Sequence, residues 1–190
     1  MEGIGVDLNR NYPFMFGLDN KGSSGEEAPC KEDYRGPRPL SEPETKAIAA
    51  FVTKWTNLKV VVNLHAYGNM LIVPFNYDTG ANLHLRDKFP VVAEFYVNLW
   101  HHGHHPKGSV MGNGAASINY TANGEASDWM LEERGIYAMS PELGTHDEAS
   151  KTFFIKEWST LSKVVTQNYN WIFYATKQLF PSIKIDLLKL

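Results

Sequence analysis

The run Leu58-Lys59-Val60-Val61-Val62-Asn63-Leu64 constrains the fold more than any other stretch, because it is rich in β-branched residues and apolar at nearly every position. A strand with one wet face alternates polar and apolar side chains, whereas a continuous apolar run suits a central strand covered on both faces. The segment before it changes period. Ile48, Phe51, Val52 and Trp55 fall at i, i+3, i+4 and i+7, which predicts a helix ending near Trp55 and lying on the sheet through that stripe. Ser41-Glu42-Pro43-Glu44 reads as its capping box, with Ser41 accepting from the backbone N–H of Glu44 and Pro43 in the first turn.

The same reading predicts a strand over Met70–Pro74 and a helix over Leu83–His101 with Val92, Phe95 and Leu99 on one face and Pro90 inside it. Gly108–Gly124 reads as a mobile loop, and Ser127 or Asp128 as the cap of a short helix ending at Gly135. A third strand spans Ile136–Leu143 and ends in Pro141-Glu142. A long helix runs from about Ala149 to Leu179, its apolar face formed by Trp158, Leu161, Val165, Ile172, Ala175 and Leu179. Residues 12–40 carry Gly, Pro, Ser and charges without periodicity, as a long functional loop does. Strands alternating with helices define an α/β fold, with ligands expected at the carboxyl ends of strands. His65 stands at one such end.

A chain of 190 residues with 43% hydrophobic and 13% aromatic content can bury one core. Its net charge of −3 contains no block of like charge, so it offers no footprint for nucleic acid or an anionic membrane surface. No apolar run reaches the roughly 20 residues that span a bilayer. Cys30 is the sole cysteine and cannot close an internal disulfide, and no basic and apolar leader precedes the motif-rich segment at Gly5.

Taken singly, the polar candidates divide between chemistry and structure. His65 suits a metal ligand, a base or a hydrogen-bonded structural histidine. Glu142 suits a desolvated general base or a surface acid in a turn. Asn9-Arg10-Asn11 offers a guanidinium fork for a carboxylate, or an arginine that pairs with a nearby aspartate. His101-His102-Gly103-His104-His105 binds added metal weakly, but adjacent side chains at a helix end diverge and do not build a dedicated site. The sequon Asn119-Tyr120-Thr121 is expected to be unmodified, because a glycan would stand on a loop needed for substrate.

Several segments, taken in order, form a pattern: Gly5-Val6-Asp7-Leu8-Asn9-Arg10-Asn11-Tyr12, Pro29-Cys30, Tyr34-Arg35-Gly36-Pro37 with Ser41-Glu42, Asn63-Leu64-His65-Ala66-Tyr67, Tyr120, Asp128-Trp129 and Pro141-Glu142-Leu143. This pattern resembles the zinc carboxypeptidases of the carboxypeptidase A type, from residue 5 to about residue 178. The resemblance implies a mixed sheet flanked by helices, the C-terminal part of that fold. It further implies zinc as cofactor with His65 as its third ligand, and Glu142 as the general base for a zinc-bound water. Asn9 and Arg10 would bind the C-terminal carboxylate of a peptide or protein, Tyr120 would close over substrate, and Asp128-Trp129 would back the specificity pocket. Ser127 corresponds to the residue at the base of that pocket. It is neither the apolar residue nor the aspartate that sets preference in the family; nearby Glu125 reads either as a solvent-facing loop glutamate or as a residue that pulls preference toward basic or polar residues, and specificity stays open.

The family's His-x-x-Glu pair, its oxyanion arginine and the cysteine that partners the counterpart of Cys30 precede the Asn-Arg motif, where this chain has only four residues before Gly5 and Gly3 at the cysteine position. Residues 1–180 are therefore expected to form a partial catalytic domain, followed by a tail over 181–190. The function implied is hydrolysis of C-terminal peptide bonds, the chain as given being a truncated form. The alternative is a catalytically inactive carboxylate-binding homologue or an inert fragment. Family resemblance favours an extracellular, secretory or lysosomal setting.

Overall fold

The computed structural model describes residues 5–145 and 157–181. Four short strands, β1 (Val60–Val62), β2 (Met70–Ile72), β3 (Val110–Gly112) and β4 (Tyr137–Glu142), form one mixed sheet in the order β1-β4-β2-β3. β1 and β4 run parallel with Val61 opposite Ala138, β4 and β2 run antiparallel with Ile72 opposite Ser140, and β2 and β3 run parallel. The apolar run thus forms the edge of the sheet among the described residues and not its centre. Both its faces are nevertheless partly covered. Val60 and Val62 pack toward the cluster of Leu71, Phe95, Tyr96, Leu99, Met139 and Trp171. Val61 packs toward Ala49, Val52, Trp129, Met130 and Ala138.

Alternation along each strand sorts the helices into two layers. The first cluster gathers α2 (Ala81–Lys88), α3 (Pro90–His102) and α6 (Trp158–Leu179) on one face, and the second gathers α1 (Pro43–Lys54) and α5 (Ala126–Arg134) on the other. The helix expected over Leu83–His101 is in fact two, broken at Phe89. Proline lacks the N–H and crowds the preceding turn, so it opens a new helix at its first position instead of continuing the old one. α1 also departs from its pattern. It buries Thr45, Ala49 and Val52 and leaves Ile48, Phe51 and Trp55 about half exposed. Its expected capping box is absent: Glu42 occupies the cap without a side-chain bond, and Ser41 Oγ donates to Glu42 Oε1 while accepting from Asn11.

α5 likewise starts after Glu125 without a side-chain cap, since Ser127 and Asp128 turn inward to other partners, and it ends on the left-handed Gly135. The segment expected to be a mobile loop contains β3 and a short helix, α4 (Gly114–Ser117). Asn113 caps that helix through Ala116 N at 3.1 Å and ties it to Phe75 O at 3.0 Å. The part of the long C-terminal helix expected over residues 149–156 lies outside the described residues, as does the expected tail beyond Pro181. α6 is anchored through Asn168, Trp171 and Ala175, while Trp158, Leu161 and Val165 of the expected apolar face are exposed. Among the described residues no helix is long and apolar enough to cross a membrane.

Candidate active site

Strand parity builds the site. Val61, Ala138 and Ile72 fix the α1/α5 face, and Ser140 and Glu142 continue that face along β4. The parallel ladder runs on beyond β1, with Asn63 N donating to Met139 O at 2.9 Å, His65 N to Pro141 O at 2.9 Å, and Leu143 N to His65 O at 2.8 Å. These bonds register His65 directly beside Glu142. The two residues come from segments 77 positions apart, and only the strand pairing brings them together.

They open on a cavity of about 130 Å³ lined also by Asn9, Arg10, Tyr120 and Glu125. One water needs roughly 10–15 Å³ on that measure, so the space admits a side chain. Arg10 and Asn9 reach it from a single 3-10 turn, Leu8–Arg10, capped by Asp7 Oδ1 on Asn9 N at 2.9 Å. Arg10 Nε donates to Gly22 O and Nη1 to Asn9 O, with Asp7 Oδ2 3.8 Å away. Its Nη2 donates to nothing among the described residues, which leaves half of the guanidinium fork for a ligand. Asn9 Oδ1 accepts from Ala126 N at 3.2 Å, and this fixes its NH₂ toward Glu125 Oε1, 3.4 Å away. Asn11 points the other way. It is fully buried and structural, so the fork is not flanked by two amides.

Gly124 makes this approach possible. Its φ of +72° and a carbonyl that accepts from Tyr12 N at 2.9 Å set it against the Asn-Arg segment, and a Cβ there would lie 2.3 Å from Arg10 O. Gly124→Ala is expected to cost at least about 1–2 kcal/mol for the left-handed backbone alone, with a further penalty for the clash. A thermal melt unchanged within a degree would contradict this.

Burial holds the His65 imidazole below its usual pKa, assisted weakly by Arg10 and opposed by the carboxylates of Glu125 and Asp7. The neutral ring is the metal-ligating form, and Nε2 is buried with no hydrogen-bond partner among the described residues. Burial, then the Glu125 carboxylate, push Glu142 up to about 7, against the opposing charge of Arg10. A carboxylate near neutrality matches general-base work. Tyr120 is 47% exposed at the rim, free of a packed core.

Ser127 is buried and absent from the cavity lining. Its hydroxyl donates to Glu125 Oε2 at 2.8 Å, so Glu125 faces the ligand space and Ser127 supports it. Sequence reasoning missed Asn76, whose backbone N and side-chain Nδ2 donate to Asp128 at 2.7 and 2.9 Å and whose Nδ2 also donates to Glu125. No motif marks it. Within the histidine cluster the His105 ring is set apart, stacking on Trp100 and Trp171 and bonding Leu99 O. Cys30 is an exposed free thiol.

A buried imidazole, a carboxylate pushed up to about 7 and an arginine with an unengaged Nη2 thus line one cavity, the first two at the carboxyl ends of strands and the third on a 3-10 turn. The zinc carboxypeptidase family profile matches residues 2–171, and the chain belongs to that family. It is 34% identical over 142 residues to human (Homo sapiens) carboxypeptidase A5, and 32% identical over 143 residues to carboxypeptidase A1 of Mus musculus. Each match covers 74% of this chain. The chain spans about a third of those relatives, 30% and 32% of their lengths. Bovine thrombin-activatable fibrinolysis inhibitor, solved in complex with tick carboxypeptidase inhibitor, superposes with a TM-score of 0.73 at 23% identity, over 94% of this chain and 58% of that one. Carboxypeptidase A from Helicoverpa armigera gives 0.66 at 19% identity, over 96% and 44%. These two likenesses establish the fold, a mixed sheet flanked by helices.

Whether the residues present fit zinc is decided by the donor set. His65 suits one ligand position, but a catalytic zinc takes three protein ligands. Among the described residues no three His, Cys, Asp or Glu side chains come together. The described residues do not form a complete zinc site.

Proposed function

We propose that the cavity binds the C-terminal residue of a peptide or protein for hydrolysis of its last peptide bond, with Arg10 and Asn9 holding the free carboxylate. The supporting observation is the backbone registration of His65 beside Glu142 in one cavity with Arg10. Arg10 gives a charge-assisted grip, and Asn9 presents an oriented amide. Glu142 accepts a proton from the attacking water and returns it to the leaving amine. Tyr120 closes the rim and excludes solvent. His65 offers its unpaired Nε2 as one zinc ligand, and turnover needs the other two from outside the described residues. Carboxylate binding needs none of them.

Titrating the chain with a blocked dipeptide and with its C-terminal amide tests this reading. The acid is expected to bind about tenfold or more tighter, as a hydrogen bond to a charged group allows. Arg10→Ala should erase the difference and Arg10→Lys restore part of it, because an ammonium lacks the fork. Equal affinities for acid and amide in the parent chain would overturn the assignment.

A further inference from the structure

We propose that the groove between the end of α3 and α6 binds an anion that carries a flat aromatic ring, of the aryl sulfonate or aryl sulfate class.

The groove measures about 590 Å³ and shares no lining residue with the cavity of Arg10 and Glu142. His101, His102 and His104 form one side, and Phe173, Tyr174 and Lys177 of α6 form the other. Two local features build it. Gly103 packs so closely on α6 that a Cβ there would lie 2.8 Å from Trp171 Cβ, which holds the end of α3 against that helix. His104 then takes a left-handed φ of +54°, uncommon outside glycine. The turn separates neighbouring rings: His105 folds back onto Trp100 and Trp171 and bonds Leu99 O, while His104 joins His101 and His102 at the groove.

The charge here has one sign. No carboxylate among the described residues lines the groove. α6 carries Lys163 and Lys177 and no acid along its length, and the segment from α3 to β3 carries Lys107 and no acid. The single acid of α3, Glu94, stands seven residues before His101, about 10 Å away along the helix axis. Imidazoles take up charge between about pH 8 and pH 5, which adds to that of Lys177. A metal needs its ligands to converge within about 2 Å of one point, and no three such side chains do so among the described residues. An anion asks for less, because charges act on it through several ångströms, out to a Debye length of about 10 Å.

The aromatic residues specify the rest of the ligand. The His102 ring lies 6.0 Å from that of Tyr174 at 35°, and Lys177 Nζ stands 5.8 Å from the centre of the Phe173 ring. Each cationic group is thus beside an aromatic face. A ring with an oxyanion attached meets both surfaces at once, whereas a bare anion uses only the charge and a neutral ring only the apolar face.

Calorimetric titration of the chain, freed of metal on a chelating resin, tests this with naphthalene-2-sulfonate, its neutral isostere naphthalene-2-sulfonamide, and methanesulfonate, which lacks the ring. At pH 5.5 the aryl sulfonate is expected to bind about tenfold or more tighter than either. Its head group keeps its charge up to pH 8, so binding about fivefold or more weaker at pH 8 reports the imidazoles. Lys177→Gln and His102→Gln, both at exposed positions, should each lower sulfonate affinity about two- to fivefold, as exposed ion pairs allow, and leave the sulfonamide unchanged. Arg10→Ala removes the cation of the other cavity and should leave sulfonate binding as it is. The wild-type comparison is decisive without the variants: equal affinity for sulfonate and sulfonamide, methanesulfonate binding as tightly as the aryl sulfonate, or no binding at millimolar concentration each overturns the proposal. So does equal binding at the two pH values, or binding that disappears in Arg10→Ala.

Discussion

Glu142→Gln is expected to lower kcat about 10²–10⁴-fold and leave KM within a few fold, when the other two zinc ligands are supplied by a longer chain or a complementing fragment. Glutamine keeps the size and polarity of the side chain and removes only its capacity to take a proton. Glu142 sits at the end of β4 with its backbone register fixed by His65 and Leu143, so the substitution leaves the frame in place. An interaction made mainly in the transition state appears in kcat and not in substrate affinity. Steady-state kinetics on a blocked dipeptide checks it. Retention of more than about a tenth of kcat would remove Glu142 from the base role, since such catalysis is worth at least ~10²-fold.

Asn11→Ala is expected to cost about 3 kcal/mol or more of folding stability, a large part of the ~5–15 kcal/mol that a domain possesses. Asn11 Nδ2 donates to Arg35 O at 2.8 Å, Arg38 O at 3.1 Å and Ser41 Oγ at 2.9 Å, and its Oδ1 accepts from Thr45 Oγ1 at 2.7 Å. Its exposure is 0%. Each buried group left without a partner costs about 1–3 kcal/mol, and two carbonyls lose their donor at once. Asn11→Asp separates this from lost volume. The aspartate is nearly isosteric but turns an acceptor toward three acceptors, so it should be at least as damaging as alanine. Denaturant unfolding measures both, and a loss below about 1 kcal/mol for Asn11→Asp would show that the amide does not bind this loop.

That amide also explains why the buried face of α1 departs from its hydrophobic spacing. Hydrophobic spacing selects Ile48, Phe51, Val52 and Trp55, but only Val52 of these is buried: the helix is rotated so that Thr45 reaches Asn11, 34 residues earlier, and Ala49 joins Val52 against Trp129 and Met130. A local window contains no trace of so distant a partner. β1, β2, β4, the start of α1 at Pro43 and the Gly135 stop were legible because backbone chemistry fixes them within a few residues. In the site, resemblance placed His65, Glu142, Asn9, Arg10 and Tyr120, and the fold gathers these residues around one cavity. It also pointed to Ser127, which does not line that cavity, whereas Glu125 does. The residue just before α5 looks into the cavity and the one inside the first turn looks away from it, a distinction of helix phase that alignment of residue types does not carry.

Several bonds that shape the cavity join distant parts of the chain: Asn9 to Glu125 across 116 positions, Asn9 to Asn63 across 54 and Asn76 to Asp128 across 52. Such contacts return their energy only after long loops have closed, so they belong to the late, slow stage of folding. No isolated hairpin or helix pair can hold even a crude version of this site. Occupancy is therefore a property of the finished molecule alone, and a bound ligand draws the population toward the native state by the full RT ln(1 + [L]/Kd).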